Sequence, residues 1–206
     1  RLKLADDSPA SAMQGRPKWA SRDALTPDFW AVNTIGPAYA PGYTTDPNDP
    51  RLADPASPNT LPPQTHLTIG DVLSHANVDW AWYAGAWQLA LEGRGEGNHK
   101  EFPEVPDFQP HHQPFNYFRQ FAPGSAARQQ HLRDAGVGDS AASNHFVAAI
   151  EAGTLPPVTF YKPQGDLNMH AGYASVEAGD DHLAKVVEAL QQSPQWPHML
   201  VAITVD

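Results

Sequence analysis

Histidine side chains in two turn-rich segments are the strongest candidates for chemistry in this sequence. His111 and His112 lie side by side in a proline-flanked segment, and His170 lies on a loop between Gly165 and Gly172. An imidazole can exchange a proton or bind a metal ion near neutral pH. In a regular strand two adjacent rings face opposite sides, but in a proline-constrained loop both can turn toward one pocket. Each histidine also fits a structural role, on a polar surface or in a core.

Two further candidates stand where predicted strands end. Asp206 follows the apolar segment 199–205, and Lys162 follows the apolar segment 158–161. Ligands of open α/β sheets bind beyond the carboxyl ends of the strands, so a carboxylate at such an end is well placed for a metal ion. Asp206 fits equally well as a loop aspartate that caps a helix or forms part of a turn. Lys162 could attract a phosphate, although an exposed lysine at a strand end explains it as well.

The elements that must position these residues form a unit of strand, loop, helix and strand. The sequence predicts a short buried strand at residues 158–161, a helix at residues 180–191, and a strand at residues 199–205 that is buried on both faces, hence central and parallel. A right-handed crossover between the two strands is the expected topology. It brings His170 and Asp206 to one edge of the sheet, as is typical of an α/β enzyme with its site at the strand ends.

Segments upstream predict further elements of the same α/β fold. The one-sided apolar spacing of residues 68–77 predicts a capped helix, and residues 78–84 predict an aromatic-rich strand. Residues 125–134 predict a polar helix, and Asp139 or Ser140 is expected to cap another. Four aromatic residues are expected in the core: Trp80, Trp82, Tyr83 and Trp87.

Proline dominates the first third of the chain. Residues 1–64 hold 11 of the 21 prolines and show neither helical nor strand periodicity, apart from a short apolar segment at residues 29–35. The aromatic residues in this part favour a long excursion wrapped on a larger domain over a disordered tail. We therefore expect one domain, in which residues 1–64 are a proline-rich loop excursion and residues 65–206 are the α/β part.

Composition excludes several classes of protein. The chain has 206 residues, of which 41% are hydrophobic and 17% are charged, and this balance indicates a globular protein. The net charge of −10 without clustered basic residues argues against a nucleic-acid partner, yet a metal ion and a few cations could still bind a small phosphorylated substrate. The sequence has no cysteine, so it has neither disulfides nor thiolate metal sites. No segment approaches the roughly 20 apolar residues of a stable membrane insertion.

Two long motifs resemble those of the bacterial phosphoesterase family that contains acid phosphatases and phosphatidylcholine-hydrolysing phospholipases C. Residues 111–118 read His-His-Gln-Pro-Phe-Asn-Tyr-Phe, and residues 162–173 read Lys-Pro-Gln-Gly-Asp-Leu-Asn-Met-His-Ala-Gly-Tyr. Shorter matches follow the family order at residues 30–34, 69–73, 80–85 and 179–183. The sequence is most similar to the acid phosphatase branch. This resemblance implies an alkaline-phosphatase-like α/β sandwich with a mostly parallel central sheet.

The resemblance also implies roles for particular residues. The vicinal histidines of the family correspond to His111 and His112, and its loop histidine corresponds to His170. In the family these groups stabilise the charge on the transferring phosphoryl group or act as acid and base. The strand-end aspartate that binds the divalent metal ion of the family corresponds to Asp206. Such a metal would bind phosphoryl oxygens and lower the pKa of a coordinated hydroxyl nucleophile.

Other parts of the family site have no counterpart in this sequence. The resemblance implies a nucleophilic serine, itself a metal ligand, in a block upstream of residue 1, together with an acid and amide pair of ligands. A second acidic ligand is expected directly after Asp206. The sequence contains no Gly-x-Ser-x-Gly elbow and no Walker A loop, and no serine in it has the context of a nucleophile. We therefore expect an internal piece of the enzyme, with an incomplete sheet and no activity on its own.

We accordingly expect a metal-dependent acid phosphatase that hydrolyses small phosphomonoesters. Three histidines that face phosphate predict a pH optimum below neutrality, because imidazolium favours the anion. The resemblance implies a periplasmic or secreted location. Two alternatives stay open: a phosphodiesterase of the phospholipase C type, and a non-catalytic module that binds phosphate or metal.

Overall fold

The computed structural model describes residues 4–18, 36–42, 44–93 and 108–204. Its strands are β1 Gly36–Pro37, β2 Thr45–Asp46, β3 Asp49–Ala53, β4 Thr60–Leu61, β5 Trp80–Gly85, β6 Leu132–Gly136 and β7 Val158–Lys162. Its α-helices are α1 Ile69–His75, α2 Trp87–Leu91, α3 Ala126–His131, α4 His145–Glu151 and α5 Val176–Gln192. Short 3-10 helices lie at Ala12–Gln14, Pro110–His112, Pro114–Tyr117, Arg119–Phe121, Gly165–Leu167 and Trp196–His198.

An open parallel sheet organises the α/β part of the chain. Its order is β6-β5-β7, with β5 in the middle. Both neighbours run parallel to β5: Trp82 lies opposite Leu132 on one side and opposite Phe160 on the other. The predicted α/β fold is thus confirmed, and so are the strands predicted at residues 78–84 and 158–161.

The residues of β5 alternate between two cores, one on each face of the sheet. Trp80 and Ala84 pack on one face with the aromatic residues of the 3-10 segments, including Phe115 and Phe121. Ala81 and Tyr83 pack on the other face, against α4 and α5. This alternation is the period of two that a strand imposes on its side chains. Trp80, Tyr83 and Trp87 are buried, and Trp82 packs against the first core as a partly buried ring, as the sequence predicts.

The predicted helix at residues 68–77 is confirmed, but most of its apolar face is exposed, although Leu73 packs against the first core. Thr68 accepts a hydrogen bond from the backbone nitrogen of Asp71, whose carboxylate accepts one from the backbone of Thr68 in return. This reciprocal cap satisfies two backbone N–H groups that the helix leaves without a partner. Ile69 and Val72 are each 54% exposed, whereas Gly70 is buried against the first core.

Three predicted helix boundaries are wrong. The helix that begins after Ser125 ends at His131, because the chain from Leu132 onward becomes strand β6 of the sheet. The cap of α4 is Asn144, whose side chain accepts two backbone hydrogen bonds, rather than Asp139 or Ser140. Helix α5 begins after Ser175 and not at residue 180, and the serine hydroxyl caps it.

Residues 199–204 do not form the predicted central strand. No strand is assigned to them, and Leu200 is 95% exposed and Ile203 58% exposed. Strand formers adopt the β conformation only where a neighbouring strand offers partners for their backbone groups. In the described part of the chain, β7 pairs only with β5, so its second edge carries no strand and its residues are all partly buried.

The described residues between 36 and 64 contact the 3-10 segments on the aromatic side of the sheet. Strands β1 and β4 pair in parallel, and β2 and β3 form a small antiparallel pair. The backbone of Gln64 bonds to Tyr117 at 2.7 Å and to Arg119 at 2.9 Å. The strand predicted at residues 29–35 lies outside the described residues, and the division at residue 64 stays a prediction. None of the helices in the described ranges combines the length and apolar character needed to cross a lipid bilayer.

Candidate functional site

The vicinal histidines lie on a short helical turn that is anchored to the central strand. Pro110 starts the 3-10 helix Pro110–His112, and Nε1 of Trp82 donates to the carbonyl oxygen of His112 at 2.9 Å. The His112 side chain is only 2% exposed, while His111 is exposed. The two rings are nearly perpendicular, with centroids 4.9 Å apart. One ring of the pair is therefore part of the core, and the other faces outward beside it.

A partly buried arginine, Arg128, holds the segment that follows the histidines. The Arg128 guanidinium donates to Oδ1 of Asn116 at 2.6 Å and to the carbonyl oxygens of Phe121 and Tyr39 at 3.2 and 3.3 Å. It also lies over the Trp87 ring, 4.8 Å from its centroid. Burial lowers the pKa of Arg128 to about 10, so it still carries its charge at neutral pH. These bonds fix the 3-10 segments relative to α3 and to the residues around β1.

The loop that carries His170 leaves the carboxyl end of β7, as predicted. Its first turn is fixed by Gln164, which is buried. The side chain of Gln164 accepts from the backbone nitrogen of Gly138 at 2.6 Å and donates to Asp166 at 2.7 Å. Since Gly138 follows β6, this glutamine ties together the loops that leave the two outer strands of the sheet.

Asn168 joins the two histidine segments. Its Oδ1 accepts the backbone N–H of His170 at 2.9 Å, and its Nδ2 lies 3.2 Å from the Tyr173 hydroxyl and 3.4 Å from Nε2 of His112. The exposed His170 ring stacks on Tyr173, with centroids 4.5 Å apart, and its Nδ1 lies 2.7 Å from the carbonyl oxygen of Ala171. Residues that are 56 positions apart in sequence thus meet at one place.

Electrostatics at this place favour an anion. Burial, followed by the nearby basic side chains of His111, Lys162 and His170, holds the pKa of His112 well below its usual value of 6.5. His112 is therefore neutral at neutral pH in the absence of a ligand. An anion that contacts these groups would offset their mutual repulsion, which is the property expected of a phosphate site.

The structure brings His111, His112 and His170 together and adds Lys162 to them. Asp206, the predicted metal ligand, lies outside the described residues. Among the described residues no group of three or more His, Asp or Glu side chains could hold a metal ion. The described residues therefore do not form a metal site by themselves.

Sequence reasoning missed Asn168 as a member of this site. A signal for it exists: an asparagine two residues before a histidine is typical of a turn in which the side-chain oxygen accepts the backbone N–H of residue i+2. Met169, between the two, has a positive φ of 65°. The contact of Asn168 with His112 is a tertiary one, and no local pattern predicts it.

Comparison with known families gives one match. Residues 34–206 match the model of the Phosphoesterase family. A comparison with curated proteins found no match.

Proposed function

Because the chain belongs to the phosphoesterase family, we propose that it forms the phosphate-binding part of a metal-dependent acid phosphatase that hydrolyses phosphomonoesters. The observation that supports this most strongly is that the His111 ring contacts the His112 ring and that Asn168 contacts both His112 and the backbone of His170. Lys162, at the end of β7, is a further basic neighbour of His112. Groups of this kind can stabilise the charge that develops on a transferring phosphoryl group.

In this proposal each side chain has a defined task. His112, held by the Trp82 indole and by Asn168, presents a fixed imidazole to the phosphoryl group. His170 and His111 are exposed beside it and suit proton transfer or charge stabilisation at the open side of the site. Lys162 adds a positive charge at the end of β7. The nucleophilic serine belongs to a segment outside this sequence.

The metal requirement is part of the proposal and rests on the resemblance. Asp206 is the residue that we propose as a ligand, with further ligands from outside the chain. A bound divalent ion would supply Lewis-acid charge to the phosphoryl oxygens. A periplasmic or secreted location is proposed on the same basis.

Turnover of a chromogenic phosphomonoester with divalent metal ions tests this function. We expect no turnover by the 206-residue chain, and turnover by a polypeptide that joins the chain to the segments encoded on either side of it. In that polypeptide His170→Ala should reduce kcat by about 10²–10³, the usual cost of one charge-stabilising group. His198→Ala, at an exposed histidine of the 3-10 helix Trp196–His198 and away from the site, is the matched control.

Other outcomes separate the remaining functions. Faster hydrolysis of phosphatidylcholine than of the phosphomonoester would favour a phospholipase C. Binding of phosphate and metal without turnover, even by the longer polypeptide, would favour a non-catalytic module. Full activity of the His170→Ala variant would contradict the proposed site.

A further inference from the structure

The hydrogen bonds of Asn168 determine which of its amide atoms faces His112. A backbone N–H can only donate, so the atom that bonds to the His170 nitrogen at 2.9 Å must be Oδ1. The other atom, Nδ2, therefore lies 3.4 Å from Nε2 of His112. An amide NH₂ group is a donor and not an acceptor. A hydrogen bond in this contact, which is long, requires the facing nitrogen of His112 to be unprotonated, because two donors cannot bond to each other.

This contact sets the tautomer of His112. With Nε2 as the acceptor, the neutral ring carries its proton on Nδ1. Nδ1 is a buried side-chain atom with no hydrogen-bond partner in the described part of the chain. The edge of the ring that faces the site is therefore Nε2 with its lone pair, and this edge faces the loop that carries His170. A free histidine side chain in water prefers the opposite tautomer, with the proton on Nε2, so we attribute this arrangement to Asn168.

The environment of the ring makes its protonation depend on a bound anion. The groups that disfavour a proton on His112 are His111 on its own turn, Lys162 at the end of β7 and His170 on the loop, and all three are basic side chains. A phosphate dianion among them would reverse the sign of the local field and stabilise a proton on Nε2. At 3.4 Å the bond from Asn168 is longer than the ordinary range of about 2.7–3.2 Å, so a phosphate oxygen can replace it.

We propose that Asn168 is a positioning residue that keeps Nε2 of His112 unprotonated until a phosphate dianion binds, so that binding takes up one proton. The complex forms from the dianion, a neutral imidazole and one proton, which enters on Nε2 from solvent. A monoanionic ester would bring that proton with it, and no net uptake would then occur. No bond between heavy atoms forms or breaks in this step. The inference rests on the proposed function for the identity of the anion, but the tautomer itself does not.

Nitrogen NMR of the chain with labelled histidines tests the tautomer without any ligand. The signals of His112 are identified as those that disappear in the His112→Asn variant. We expect the wild-type ring to carry its proton on Nδ1. Asn168→Asp should move the proton to Nε2, since a carboxylate accepts a hydrogen bond from it. Asn168→Ala should shift the ring toward the tautomer with the proton on Nε2, which a free histidine side chain prefers. Asn59→Asp makes the same chemical change at an exposed turn and should alter nothing. A wild-type ring protonated on Nε2 would overturn the role of Asn168 whether or not the variants fold.

Calorimetry with inorganic phosphate, in mildly alkaline buffers of different ionisation enthalpy, tests the proton uptake. We expect the wild-type chain to take up about one proton per phosphate and to bind about tenfold more tightly for each unit that the pH falls. His112→Asn should abolish both effects, and His198→Asn should preserve them. Uptake that persists in His112→Asn would overturn the inference. Absence of phosphate binding would overturn the proton uptake together with the proposed function. The NMR experiment would still test the tautomer of His112 by itself.

Discussion

Gly85 and Gln164 pack backbone against backbone at the point where β5 ends. A Cβ atom on Gly85 would lie 2.8 Å from Cα of Gln164 and 2.9 Å from the carbonyl carbon of Pro163. Such distances are shorter than a non-bonded carbon contact permits. The absence of a side chain at Gly85 therefore allows the loop with His170 to cross the central strand, and Gln164 then fixes that loop to Gly138.

Gly85→Ala should displace this loop. Because the added methyl group meets backbone and not a flexible side chain, we expect a loss of about 1–3 kcal/mol in the free energy of unfolding, measured with denaturant. The NMR signals of the His170 side chain should shift as well. At Gly36 a Cβ atom would meet one backbone oxygen at 3.3 Å, so Gly36→Ala is the milder control. A Gly85→Ala chain of wild-type stability would show that the loop can move at no cost.

Replacing Arg128 by lysine should lower the stability of the fold. Its planar guanidinium donates to three acceptors at once, and an ammonium group on a flexible stem cannot reproduce that fork. Arg128→Lys leaves buried acceptors without a donor, so we expect a loss of about 1–3 kcal/mol. Arg119→Lys, at an exposed arginine, should change stability by less than about 0.5 kcal/mol. Equal effects of the two substitutions would argue against the anchoring role of Arg128.

Periodicity and turn chemistry predict the parts of this fold that depend on local sequence. The buried segment that becomes β7, the aromatic strand β5 and the Thr68 cap of α1 can all be predicted in this way. Strand β6 cannot, because its sequence, Leu-Arg-Asp-Ala-Gly, has no strand signal of its own and becomes a strand by pairing with β5. The opposite case is the segment 199–204, whose residues favour a strand but have no partner for one in the described residues.

The same distinction holds for the site. The motifs predict which histidines belong together, and the structure brings His112 and His170 to one place through Asn168. Sequence alone could not predict that His112 is buried and neutral whereas His170 is exposed, because burial follows from packing around Trp82. The expectation of an imidazolium at all three positions therefore does not hold for His112 without a ligand.

A hydrogen-bond network around the buried His182, on the helical side of the sheet, should make stability depend on pH. Nδ1 of the buried His182 lies 2.5 Å from Asp139, its Nε2 lies 2.8 Å from the Tyr161 hydroxyl, and Lys185 donates to Asp139 at 2.7 Å. Burial alone would raise the pKa of Asp139, but the hydrogen bonds from Lys185 and His182 outweigh it and lower the pKa below 3.8.

The sign of this effect follows from the lowered pKa. Above about pH 4 the folded carboxylate is ionised and its bonds stabilise the fold, and this stabilisation is lost as the pH falls through the lowered pKa. Asp139→Ala should reduce the acid-side decrease, part of which stays with Asp71, and should cost about 1–3 kcal/mol at neutral pH, since it leaves Nδ1 of the buried His182 without its partner. Denaturant unfolding between neutral pH and pH 3 measures both. An Asp139→Ala chain with the acid sensitivity of wild type would contradict the assignment.

Tyr173 should act on His170 through its ring more than through its hydroxyl. The two rings are stacked with an angle of 11° between them, and the hydroxyl lies 3.2 Å from Nδ2 of Asn168. Tyr173→Phe keeps the stack, whereas Tyr173→Ala removes an aromatic pair of about 0.5–1.5 kcal/mol. We therefore expect Tyr173→Ala to weaken inorganic phosphate binding by roughly twofold to tenfold, and Tyr173→Phe to weaken it less. Calorimetric titration of both variants measures the difference, and a phenylalanine variant as weak as the alanine variant would assign the effect to the hydroxyl.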